Sequence, residues 1–355
     1  MEKNNTSILS GGQKKNRLLT PKETENIIAG NVVFYESKMN RKHFELTRES
    51  KINYEGVTVF RIKCVKDFIH ARNGDLGGWV QKLENLNNNA WVSEEAEVYE
   101  NANVYENALI SGHAKVRGTA KVYGYAKVYE NAEIYFDGVE VSDNAEIYGY
   151  THIRSNPRIY GNAKVFGNTT VFGHCVISDN AKVYGDTYIE DSGIHGNAEI
   201  YGTRPYGFCS GVVIIDSNVW GDAKVYEQAL LEKVNVNGFA KIHGNAHFNK
   251  DHFISGNANI QSDNDYCDFA GFGSRSFRVS AYRGINEDII VECSCGCFKG
   301  TINEFEQIIV HNHKGKRYGL QYSIMLEMMR LKFNLDELPD LEPSSNACVN
   351  SSFIS

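Results

Sequence analysis

The sequence lacks any apolar run approaching the roughly 18–20 consecutive residues that a membrane-spanning helix needs. It also lacks an excess of cation. Formal net charge is −7, and an acidic chain without clustered Lys and Arg is not built to coat nucleic acid. The opening MEKNNTSILSGGQKKNRL carries no apolar core of the kind a secretory signal requires, so the expectation is a cytoplasmic protein. Cysteines number eight and stand mostly singly, at Cys64, Cys175, Cys209, Cys267 and Cys348, with one cluster at Cys293, Cys295 and Cys297. In a reducing compartment these read as free thiols or metal ligands rather than disulfides. Proline is scarce at five residues, whereas Tyr (20) and Phe (18) are plentiful, a mix that suits many short strands around a thin core.

What the sequence does have is a repeat. Small residues recur every six positions at Ala90, Ala96, Ala102, Ala108, Ala114, Ala120, Ala126 and Ala132, each followed two residues later by Val or Ile. An insertion of one residue near 136–143 shifts the phase. The pattern then returns at Ala145/Ile147, Thr151/Ile153, Ala163/Val165, Thr169/Val171, Ala181/Val183 and Thr187/Ile189. After further slips it continues at Ala198/Ile200, Ala223/Val225, Ala240/Ile242 and Ala258/Ile260. The stretch 203–218 is irregular but reads as staying near register.

A helix cannot produce this pattern, because a period of six is no multiple of 3.6 and the apolar positions would spiral round its surface. A strand can. Residues i and i+2 point to one face, so each Ala-x-Val sends two side chains inward, and the Gly-Asn, Glu-Asn or Gly-Asp that follows supplies a corner. Three repeats of six close one coil, and stacked coils pair their backbones along parallel ladders. The expected fold is mainly β: a left-handed parallel β-helix of roughly nine coils, about 45 Å long at ~4.8 Å per coil.

The segments NAKVYG, NAEIYG and GDAKVYE resemble the hexapeptide-repeat family, whose members form left-handed β-helices and often trimerise. More narrowly, the chain is similar to a group of phage- and bacterium-encoded proteins with Asn-Ala-x-Val-Tyr-Gly repeats. In that group a leader such as FRIKCVKDF…GDLGGWV (60–80 here) precedes the rod and a CGCFKGTINEF segment (295–305) follows it. The resemblance implies a fold and a domain plan, a homo-oligomer and a phage or mobile-element origin, but no activity.

The domain plan is an N-terminal extension at 1–43, loosely ordered apart from a short helix at 21–28, then a cap at 44–88. The rod follows at 89–262, a small α+β domain at 263–337 and a flexible tail at 338–355. The cap reads as a hairpin of strands 51–54 and 57–65 around Glu55-Gly56, with Gly74, Gly77 and Gly78 turning the chain into the first coil. In the α+β domain, strands at 275–283 and 288–293 flank Gly284-Ile285-Asn286. Thr301 and Glu304 form a capping box for a helix at 302–310. A second helix at 318–332 carries Leu320, Ile324, Met325, Met328 and Leu331 at helical spacing.

Four constellations could carry chemistry. The first is an outward aromatic ladder, counted through the phase slips as Tyr129, Tyr148, Phe166, Tyr184, Tyr201 and Trp220. Its rings could stabilise the sheet by mutual stacking, form a subunit interface, or offer a protein partner or small planar ligand a platform. The second is Cys295 and Cys297 with His311 and His313, a donor set of the right number and softness for Zn²⁺ but without standard finger spacing; plain packing is the alternative. The third is acyl transfer with acyl-CoA on the hexapeptide scaffold, for which His113, His174, His195 and His243 are the available bases. The fourth is a His247-x₄-His252 pair similar to that of hexapeptide carbonic anhydrases. The balance favours a non-enzymatic binding or assembly module, dimeric or trimeric, with the acyltransferase as the alternative.

Overall fold

The computed structural model describes residues 42–203, 211–272, 277–294, 296–313 and 315–335. The expected extension up to residue 41, its helix at 21–28 and the tail at 338–355 lie outside the described residues.

The repeats wind into a three-sided parallel β-solenoid of about ten turns. Each side of each coil is a strand, most of them two or three residues long, and the inward residue is Val or Ile on nearly all of them, with Leu231 and Phe248 as exceptions. Lys127–Val128, for example, pairs with Leu109–Ile110 below and Glu146–Ile147 above. The inward residues Ala126, Val128, Ala132 and Ile134 are fully buried, as the Ala-x-Val pattern requires. Where the small inward position is polar, the side chain satisfies itself locally. Thr151, Thr169 and Thr187 donate their hydroxyls to the carbonyls three residues back, at 2.6, 2.7 and 2.6 Å. Cys175 does the same with its thiol, to Phe172 O at 3.0 Å, so this free cysteine is a packing residue. An inward hydroxyl bonded in this way avoids the cost of an unpaired buried polar group.

We call the three sides the hairpin face, the ladder face and the third face. The hairpin face continues into the N-terminal cap, because Trp79–Val80 pairs in parallel with Glu97–Val98. The ladder face holds Lys127–Val128 and its stack. The third face is a separate nine-stranded sheet running from Asn103–Val104 to His252–Ile254.

Partners one coil apart are commonly 18 positions apart in sequence, as Asn144 and Asn162 are. The single insertion near 136–143 is present, since Lys121 stacks under Glu140, which lies 19 positions further along the chain. The stretch 203–218 departs from the expected register. Glu199 pairs with Lys224, which lies 25 positions further on, and Gly193 with Asn218 at the same spacing, so one coil is far longer than its neighbours. The excess leaves and re-enters at one corner. A Cβ on Gly202 would lie 1.8 Å from Asp186 O, and one on Gly211 would lie 2.0 Å from the same carbonyl. Only glycine lets both ends of the excursion press against that corner, so the rungs above and below stay in contact.

The corners use the left-handed conformation, and several are Glu or Asp. Glu94, Glu100, Glu106 and Glu227 have φ of 57°, 57°, 61° and 64°. Such a conformation costs an L-residue roughly 1–2 kcal/mol. Each of these carboxylates accepts the amide N–H of the glycine one coil above: Gly112, Gly118, Gly124 and Gly244, at 2.7–2.9 Å. A hydrogen bond to a charged acceptor contributes about 1.5–3 kcal/mol, enough to offset the strain. The Asn beside these corners stack likewise, from Asn144 to Asn162, Asn180 and Asn197, at 3.0–3.3 Å.

Both rod ends are covered. At the start, strands Phe44–Ile52, Thr58–Cys64 and Leu76–Val80 form an antiparallel sheet, with the Glu55-Gly56 turn where it was expected. Gly74 turns the chain with φ +100°. Gly77 and Gly78 have a different role: they lie within the last strand, where a Cβ would sit 2.5 Å from Ile62 and 2.7 Å from Ala96 O respectively. At the far end, strands Tyr266–Phe272, Phe277–Arg283, Ile289–Cys293 and Lys299–Thr301 make a second antiparallel sheet. Tyr266 and Tyr282 on one face join the rod's core, while Val279, Val291 and Cys293 on the other meet helices Ile302–His313 and Arg317–Lys332. The capping box is present, with Thr301 N donating to Glu304 at 2.7 Å and Glu304 N to Thr301 Oγ1 at 3.3 Å. The second helix buries Met325, Leu326 and Met329; Leu320, Ile324, Met328 and Leu331 face solvent.

Candidate functional site

The ladder is real and longer than expected, and one of its expected members is elsewhere. Tyr129, Tyr148, Phe166, Tyr184 and Tyr201 stack in succession with centroids 4.7–5.1 Å apart and planes within 8°. The next rung is Tyr226 (5.0 Å, 6°), and His243 follows (4.8 Å, 2°). Trp220 is not on this face. It follows Val219 on the third face and meets Phe253 edge-on at 6.2 Å. The long coil is the cause: three repeats of six counted from Tyr201 end beside Trp220, whereas the actual coil is longer and ends on Tyr226.

Each ladder ring is half-buried. Its two faces lie against its neighbours, so the surface offered to solvent is a strip of ring edges. Beside it runs a column of charge: Lys127, Glu146, Lys164, Lys182, Glu199, Lys224 and Lys241. Glu146 pairs with Lys164 at 2.9 Å and Glu199 with Lys224 at 2.5 Å. The Lys224 hydrogen bond holds the Glu199 carboxyl below the usual carboxylate range, against the effect of burial. Tyr184 donates to the same carboxylate at 2.9 Å. Burial, with Glu146 nearby, pushes the Tyr129 phenol up to about 12. Burial likewise raises Tyr148, Tyr201 and Tyr226. The ladder tyrosines therefore stay neutral at ordinary pH.

The proposed metal ligands are not brought together among the described residues. Cys297 is disulfide-bonded, against the expectation of free thiols, which holds at Cys64, Cys175, Cys267 and Cys293. His311 is exposed on the first helix, and Cys295 and the side chain of His313 lie outside the described residues. No group of three or more His, Cys, Asp or Glu placed to hold a metal ion occurs among the described residues.

The histidines considered for catalysis are scattered. His113 and His174 are exposed, His243 ends the ladder, and His195 Nδ1 lies 2.8 Å from Ser178 Oγ on the third face. His247 stands on the hairpin face and His252 on the third, so the two do not form a ligand pair.

Sequence reasoning missed a cleft of about 410 Å³ where the third face meets the C-terminal sheet, lined by Phe253, Arg278, Ser280, Glu292, Cys293, Ser294 and Gly296. Burial pushes the Glu292 carboxyl up, but hydrogen bonds from Ser255 (2.6 Å), Lys299 (3.1 Å) and Tyr282 (3.0 Å) prevail and lower it. Arg278 is held by Asp268 at 3.3 Å. Both charges already have partners, and burial raises the Cys293 thiol, which keeps it protonated and unreactive. The alternation Arg278, Ser280, Tyr282 could have shown a polar strand face turned toward the rod.

The fold and its surface define a capped, three-sided parallel β-solenoid bearing a continuous aromatic strip. No protein-family model matches the sequence, and no curated protein matches it either.

Proposed function

We propose that the protein is a rigid, non-enzymatic binding and assembly module that self-associates through its ladder face as a dimer or trimer. The seven-ring ladder carries this reading. Its edges form a strip roughly 29 Å long at ~4.8 Å per coil, and each ring is fixed by those above and below. A surface ordered beforehand loses little side-chain freedom on docking, and tyrosine is enriched where proteins meet. The likeness of the repeats, leader and Cys-Gly-Cys-Phe segment to the phage and bacterial group supports a phage-encoded, cytoplasmic role, as a structural part or as an antagonist of a host factor.

Light scattering on the full chain should report a dimer or trimer. The double variant Tyr184→Ala, Tyr226→Ala should report a monomer that still melts cooperatively. An unchanged mass would overturn self-association through this face. Calorimetry with acetyl-CoA addresses the acyltransferase alternative: saturable binding would favour that enzyme over the module.

A further inference from the structure

The third face carries its own column of residues in the ladder position: Tyr105, Tyr123, Ser142, Tyr160, Ser178 and His195, each one coil above the last. Tyr105 and Tyr123 stack as the ladder rings do, at 4.9 Å and 7°. Then a ring is missing. Ser142 occupies its place, and the next ring, Tyr160, stands two coil rises from Tyr123, about 9.6 Å. On the ladder face the same two-coil step, from Tyr129 to Phe166, is filled by Tyr148 at 4.7 Å from each neighbour. The third face therefore holds a gap one aromatic ring thick.

That gap is a cavity of about 190 Å³ lined by Tyr123, Glu140, Ser142, Asp143, Arg158 and Tyr160. A buried apolar cavity of about 150 Å³ is enough to hold benzene, so this space suits one small planar ring system. Its rim is polar and carries unused capacity. Asp143 Oδ2 accepts the Gly161 N–H at 3.0 Å, and no bond to its Oδ1 occurs among the described residues. Nor does any side-chain hydrogen bond to Ser142, whose hydroxyl lines the floor. Glu140 is held by Lys121 at 3.0 Å and lies 3.6 Å from Arg158, which places a guanidinium on the opposite rim.

We propose that this gap is a binding slot for a free, small heteroaromatic molecule of nucleobase type, which completes the stack between Tyr123 and Tyr160. Two tyrosine faces supply the sandwich, Asp143 accepts from the ring's edge, and Ser142 and Arg158 donate to its heteroatoms. The rim's two carboxylates, Glu140 and Asp143, offset Arg158 and the Lys121 beside it, so the slot holds no excess cation for the phosphates of a polymer and favours a free base or nucleoside. The slot lies on a different face from the ladder and does not depend on how the ladder is used.

The test is calorimetric titration of the full chain with adenosine and, separately, cytidine. At least one should bind at one equivalent. Tyr123→Leu and Tyr160→Leu should each weaken it by about tenfold, the order expected for losing one stacking face. Ser142→Tyr is the sharper variant: it restores the missing rung, so it should abolish binding while raising the melting temperature. Tyr54→Ala, at an exposed aromatic of the N-terminal cap, should leave binding unchanged. Absence of saturable binding for both probes, or binding that survives Ser142→Tyr, would overturn the proposal. If Ser142→Tyr does not fold, undiminished binding in both leucine variants overturns it instead.

Discussion

The ladder face and the third face share one backbone, one coil rise and one interior, yet their surfaces differ. On the ladder face seven rings follow one another without a gap, from Tyr129 to His243. On the third face the same column reads ring, ring, serine, ring, serine, histidine. The inward residues fix the fold and are nearly the same on every side, so the outward position is free to vary. A solenoid thus separates what holds it together from what it presents. The continuous column gives a flat strip suited to another extended surface; the interrupted one gives a slot suited to a single small molecule.

The largest effect should come from the part the two faces share. Val165→Asp beneath the ladder and Ile159→Asp beneath the third face each bury an unpaired charge at a fully buried site. Each should cost several kcal/mol and abolish the cooperative thermal transition seen by circular dichroism. If either face tolerated the change, the common interior would be in doubt.

Tyr148→Ser should be intermediate. It cuts into the ladder the gap that Ser142 makes naturally, removing two stacking contacts of about 0.5–1.5 kcal/mol each. The melting temperature should fall, opposite in sign to Ser142→Tyr, and equal shifts in one direction would end the analogy between the columns. A corner test is of similar size. Glu100→Ala keeps the strained left-handed corner but removes the carboxylate that accepts Gly118 N–H, and should cost about 1.5–3 kcal/mol by thermal melting. Glu100→Gly, which removes both the bond and the strain, should cost less.

The smallest effect is on pH dependence. Folding raises the Tyr129 phenol to about 12, mainly by burial. A group whose pKa rises on folding contributes stability that is complete below its unfolded pKa, about 10, and is lost as pH climbs through the folded value. The melting temperature should therefore decline between about pH 10 and 12, and Tyr129→Phe should make that decline shallower. An unchanged slope would show that Tyr129 titrates alike in the folded and unfolded chain.

Much of the rod could be read from the sequence because Ala-x-Val at period six admits few other structures. The caps were legible for ordinary reasons: Glu55-Gly56 marks a turn, and Thr301 with Glu304 marks a helix start. What could not be read was the face on which a ring beyond the overlong coil lies. Trp220 and Tyr226 each follow an inward Val, so nothing local distinguishes them. Their faces depend on counting residues from the rod's start, and the one overlong coil, from Glu199 to Lys224, defeats a count in sixes. The roles of Gly77, Gly78, Gly202 and Gly211 were hidden for a related reason, since each answers to a carbonyl or side chain distant in sequence. Glu at a left-handed corner looked like an ordinary turn residue, because its compensation lies one coil above. In the second helix, apolar residues occur on both sides, and spacing alone could not tell buried Met325 and Met329 from exposed Leu320 and Ile324.

Both the ladder and the slot depend on which residues stand one coil apart, and a pair of engineered cysteines tests that directly on the ladder. Neighbouring parallel strands lie about 4.8 Å apart, within the Cα separation a disulfide spans. On mild oxidation, Tyr201→Cys with Tyr226→Cys should give an intramolecular crosslink by peptide mass mapping, while Tyr201→Cys with Trp220→Cys should give none. The reverse pattern would contradict the register on which the ladder rests.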